Sequence, residues 1–114
     1  MSISLQVLFG KGDLYFDLLE ASAEEARVSV GALIKVLSQP TRAVQLSDFA
    51  DPRRKDKRIT EEIGEHLCKT FVTPLDREDI EALSATLYKV PKTAEKFAER
   101  FLAAPPQLRE AEFA

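Results

Sequence analysis

His66 and Cys68 are the only histidine and the only cysteine in the chain, and they stand two residues apart. On a helix, residues two apart point to different faces, so these two make a poor thiolate–imidazole pair. Glu62 lies one turn before His66 and shares its face. The two could share a metal ion, but two ligands do not make a metal site. A helix-face ion pair accounts for the same spacing. Asp76, Glu78 and Asp79 form an acidic group that could bind a cation, with Glu62 and His66 as further donors. At the start of a helix the same carboxylates serve as caps and dipole partners. The run from Arg53 to Arg58 carries five bases and one acid. It could meet phosphate or anionic lipid, or simply be a solvated helix face. There is no Gly-rich phosphate loop, no GxSxG and no HExxH. Lacking a nucleophile–base pair or a convincing acid–base pair, the chain is not expected to be an enzyme.

The elements that must position these groups follow from composition and periodicity. At 114 residues the chain is at most one domain with a modest core. A formal net charge of -3 argues against a nucleic-acid partner. A single cysteine allows no intrachain disulfide and fits a reducing compartment. The chain has no apolar run of the length a membrane span needs. Its start lacks a charged leader before a long apolar stretch, so no signal peptide is expected. Ile3, Leu5, Val7, Leu8 and Phe9 could pack as a short arm, loosened by Gly10 and Gly12.

Three helices are expected, over about 13–38, 52–71 and 76–103. Asp13 is a plausible cap for the first. Its apolar stripe is Phe16, Leu19, Ala23, Ala26, Val30, Leu33 and Leu37, at alternating three- and four-residue steps. Pro40 ends it. Pro52 suits the first turn of the second helix, whose stripe is Ile59, Ile63, Leu67 and either Thr70 or Phe71. Gly31 and Gly64 suggest close helix–helix approach. Pro74 and its effect on Thr73 stop the second helix. Asp76 and Asp79 then stand three apart, as in a capping box. The third stripe is Ile80, Leu83, Leu87, Val90, Ala94, Phe97 and Phe101. Pro91 should bend that helix without breaking it, and Pro105 with Pro106 should end it. The architecture expected is an all-α, antiparallel up-down-up three-helix bundle, with a further helix or subunit beside it.

The corner between the second and third helices reads Leu67-Cys-Lys-Thr-Phe-Val-Thr-Pro-Leu-Asp-Arg-Glu-Asp-Ile80. It resembles the signature of the PhoU-like proteins that accompany Pit-type inorganic phosphate transporters, carried here by Thr70, Phe71, Thr73, Pro74, Asp76, Arg77, Glu78 and Asp79. Leu8-Phe9-Gly10, with Phe16, Leu18, Leu19 and Glu20, resembles the family's N-terminus. The resemblance runs along essentially the whole chain and is strongest from Ile59 to Leu87. It implies half of a double three-helix fold, possessing the first three helices over residues 1–114. The Pro105-Pro106 pair and short tail would fit a truncation between units. It further implies a cytoplasmic accessory or regulator of phosphate uptake that docks on the transporter and touches the membrane only through it. A homo-oligomer, or pairing with a second three-helix unit, follows in the same way. The wider PhoU group holds metal clusters on ExxxD motifs. The corresponding positions here are Arg53 and Lys57, and Tyr88, Lys89 and Lys92, none of them acidic. No cofactor is therefore expected, and Arg53, Lys57, Lys89 and Lys92 become a candidate basic patch for phosphate, a phosphorylated ligand or an acidic transporter loop. The alternatives are a helical oligomerisation scaffold without ligand, and a metal-binding protein using the acidic corner.

Overall fold

The computed structural model describes residues 3–39 and 45–104, with side chains from Leu14 onward. Three helices fill it: α1 (Ile3–Ser38), α2 (Ser47–Lys69) and α3 (Arg77–Ala103). Each packs against both others, in a rod of 61 × 26 × 18 Å. Tyr15 near the start of α1 meets Thr70 at the end of α2, and Arg53 near the start of α2 meets Glu95 late in α3. The order is therefore up-down-up, as the periodicity predicts.

Two helices start earlier than the capping signals suggest. α1 begins at Ile3, not Asp13, and runs through Gly10 and Gly12. No described glycine has positive φ. The two glycines thus cost only helix propensity, about 1 kcal/mol each, which a long helix absorbs. α2 begins at Ser47, so Pro52 lies inside the helix and not in its first turn. Phe49 and Pro52 are both buried. Their burial offsets the hydrogen bond that proline forgoes. α2 ends at Lys69, where the Thr70 N–H caps back onto the His66 carbonyl at 2.9 Å. α3 continues unbroken through a buried Pro91. Pro40, Pro105, Pro106 and the C-terminal tail lie outside the described residues, as do the side chains of the N-terminal arm.

The largest correction concerns α1. Phe16 is 51% exposed, and Val30 and Leu37 are exposed with it. The buried line is instead Tyr15, Leu18, Leu19, Ser22, Ala26 and Ser29. Two serines stand where an apolar residue would have marked the core, so the apolar stripe and the buried face differ by about a sixth of a turn. α3 shows the same offset more weakly: Ile80, Ala94 and Phe101 are buried but Leu83 is exposed, while Ser84 and Glu95 are buried. On α2 the core takes Thr70 and leaves Phe71 outside.

The glycine expectation also fails. A Cβ at Gly31 or Gly64 would meet nothing within 4 Å. Gly64 is exposed in mid-helix, so Gly64→Ala should stabilise the fold by about 1 kcal/mol. A higher urea midpoint at unchanged slope would show it.

The core has two apolar parts. Tyr15, Leu18, Leu19, Ile63, Leu67 and Ile80 form one, and Phe49, Ala94 and Ala98 form the other with Ala32, Leu33 and Val36 against them. Between them lies a layer of buried polar residues.

Candidate functional site

Two places combine unusual chemistry with a defined position. The first is the α2–α3 corner. Once α2 stops, its last carbonyls need donors. Arg77, the first residue of α3, supplies them. Its guanidinium donates to the carbonyls of Leu67 and Thr70, and to that of Phe71 at 2.9 Å. The Thr73 hydroxyl donates to the Leu75 carbonyl within the turn. Tyr15 Oη donates to Thr70 Oγ1 at 3.0 Å in a buried contact, tying the corner to α1. With the backbone held at these points, Phe71 is 94% exposed and Val72 74% exposed, and Leu75 is exposed beside them. Thr73, Pro74, Leu75, Asp76, Arg77 and Glu78 line a shallow open groove next to these side chains.

Asp76 takes the N-cap position of α3, but its side chain makes no capping bond, so no capping box forms with Asp79. The backbone does the work instead: the Asp79 and Ile80 N–H groups donate to the Asp76 carbonyl at 3.0 and 3.1 Å. Asp76, Glu78 and Asp79 are all exposed. Glu78 and Asp79 sit in the first turn, where they complement the helix dipole. His66 Nε2 lies 3.9 Å from Glu62 Oε1, one turn away on α2. Among the described residues, no three His, Cys, Asp or Glu side chains come together as a metal site would require.

The second place is the buried layer. Asp56 is fully buried, the one acid in the basic run Arg53–Arg58. Neither of its carboxylate oxygens has a hydrogen-bond partner, nor do Ser22 Oγ, Thr60 Oγ1 and Ser84 Oγ. Burial holds the Asp56 carboxyl above the ordinary carboxylate value. Ser22 stands close enough to offset part of that rise without reaching hydrogen-bond geometry, and Glu25 adds repulsion. Ser29 satisfies itself by donating to the Glu25 carbonyl at 3.0 Å. The basic run hides this residue, but a different spacing marks it. Phe49, Asp56, Ile63 and Thr70 are seven apart, and all four are buried.

The proposed basic patch is only partly free. Arg53 bridges α2 and α3 through Glu95, itself mostly buried. Tyr88 and then Glu95 raise the Arg53 pKa above its usual value, so this guanidinium is committed within the fold. Lys57 and Lys89 are exposed and Lys92 is half-buried. None of the three has an ion pair among the described residues.

Comparison with protein-family models, with curated proteins and with solved structures finds no match.

Proposed function

We propose that this chain is an accessory or regulatory binding module of inorganic phosphate transport, related to the PhoU-like proteins and docking on a Pit-type transporter. It works by contact and not by catalysis. The α2–α3 corner carries the reading. The stretch from Leu67 to Ile80 carries the signature by which the chain resembles that family. The same stretch displays Phe71, Val72 and Leu75 on a backbone that Arg77 fixes. Large apolar side chains held out on a rigid turn are poor for solubility and good for filling a partner's pocket. Because the turn is already ordered, docking costs little conformational entropy. Lys57, Lys89 and Lys92 would add attraction to an acidic loop. No described helix is long and apolar enough to cross a membrane. Attachment would then be through the transporter.

A metal-binding role has less support, because Asp76, Glu78 and Asp79 point into solvent. A scaffold role draws on a different feature, the exposed apolar side of α1.

The test is binding of the chain to the cytoplasmic loops of a Pit-type transporter from the same genome. The Phe71→Ser/Val72→Ser variant should bind at least about tenfold more weakly with its helical circular dichroism unchanged. If only the Lys57→Glu/Lys89→Glu/Lys92→Glu variant loses binding, the contact lies on the basic face. Wild-type chain that binds no loop would sink the proposal.

A further inference from the structure

Five of the seven exposed large apolar residues of α1 and α3, all but Val28 and Leu102, lie on one side of the rod. On α1, Ser22 and Glu25 face Asp56 of α2. Moving round α1 away from them, one meets Ala26 and Leu19, then Leu37, Val30, Ala23, Phe16 and Ile34. On α3, Tyr88 and Glu95 face Arg53 of α2. Moving round α3 away from them, one meets Ala98 and Ala94, then Leu83 and Val90. Both lines therefore border the α1–α3 seam, on the side away from α2. Phe16, Val30, Ile34, Leu37 and Leu83 are 37–58% exposed there. Phe16, Ala23, Val30 and Leu37 recur every seven residues, as a helix-pairing seam requires.

We infer that this face is the interface for a second copy of the chain, packed antiparallel across a two-fold axis. Charge selects the partner and the direction. Of the exposed charges on α3, Asp79 in the first turn and Arg100 in the last lie nearest this face. An antiparallel two-fold places α3 against its copy with the acidic end on the basic end. The axis that sets Asp79 opposite the partner copy's Arg100 crosses α3 next to Val90. That level corresponds to Ala26 and Arg27 on α1, because Leu18 clusters with Ile80 and Leu33 with Ala94 and Ala98. The same axis then sets Phe16 opposite Leu37 and Ala23 opposite Val30, so charge and apolar size match under one operation. Arg27 near the axis carries its own counter-charge, with its Nη2 2.6 Å from Glu24. The α1 line is about 32 Å long at ~1.5 Å per residue. Two such two-helix faces bury on the order of 1,200 Å², enough for a specific contact.

Sedimentation velocity on the full chain, at loadings up to about 200 µM, tests this. A dimer is expected. Arg100→Glu should weaken it about tenfold, and adding Asp79→Lys should restore it, since the two residues stand at opposite ends of α3 and meet only between copies. Val30→Glu should give a folded monomer. A wild-type monomer throughout the range overturns the inference. A dimer that Arg100→Glu leaves unchanged, or that the double change fails to restore, overturns the antiparallel arrangement.

Discussion

Arg77→Ala should cost the bundle about 2–4 kcal/mol and release the α2–α3 corner. Hydrogen bonds from a charged donor contribute about 1.5–3 kcal/mol each when sheltered. Here one guanidinium serves three carbonyls, two part-buried and one exposed, so the sum is well below three full contributions. Arg77→Lys should recover little, because an ammonium on a flexible stem lacks the planar fork that reaches all three. The measurement is chemical unfolding joined to amide exchange at Thr70 to Leu75. Faster exchange there, with the rest of α2 and α3 still protected, would place the loss at the corner. An unchanged midpoint would mean that the guanidinium adds nothing that water does not supply. The same variant should bind any corner partner more weakly with Phe71 and Val72 intact, since a loosened turn must be ordered again on docking.

Asp56→Asn should act in the opposite direction, raising stability by about 1–2 kcal/mol at neutral pH. A buried polar group without a partner costs about 1–3 kcal/mol by mutational comparison, and a charged one more. Asparagine keeps the shape and part of that cost but loses the charge. The pH dependence identifies the residue. Burial holds the folded pKa of Asp56 above its unfolded value. Between those two values the folded chain keeps a proton that the unfolded chain has released. The contribution of this group to stability is therefore full below the unfolded pKa, falls as pH rises through the folded pKa, and is then level. Urea unfolding from about pH 4 to about pH 8 should show the decline in the wild type and a smaller one in the variant. Parallel curves would move the destabilising group elsewhere.

These two residues also mark what the sequence discloses and what it conceals. Helix number, order and the α2–α3 corner are legible because Pro74, the acidic first turn of α3 and the three-four spacing all point to the same places. Arg77 could be located but not understood, since nothing in one dimension shows a side chain reaching back to the carbonyls of Leu67 and Thr70. Asp56 was hidden by its neighbours. Five surrounding bases make the run read as a solvated face, although the seven-residue line from Phe49 through Asp56 to Ile63 runs straight through it. α1 misleads for the converse reason. Phe16, Ala23, Val30 and Leu37 of its apolar stripe are exposed beside the α1–α3 seam, and its buried line contains Ser22 and Ser29. Periodicity finds an apolar face, and a helix with two such faces does not say which is covered from within. Capping signals place the N-termini of α1 and α2 too late because Gly10, Gly12 and Pro52 are local penalties that the longer helix absorbs.

The buried layer between the two apolar clusters has a consequence for alignment. Three long amphipathic helices can in principle slip past one another by two turns and still match apolar to apolar. Slipping α2 by seven residues would carry Asp56 into the place of Ile63, among Tyr15, Leu18 and Ile80, or into the place of Phe49, beside Ala94 and Ala98. Either move sets a carboxylate in hydrocarbon and takes it away from Ser22. The layer that weakens the native bundle penalises each shifted alignment more heavily, so the stability lost at Asp56 is returned as a single register.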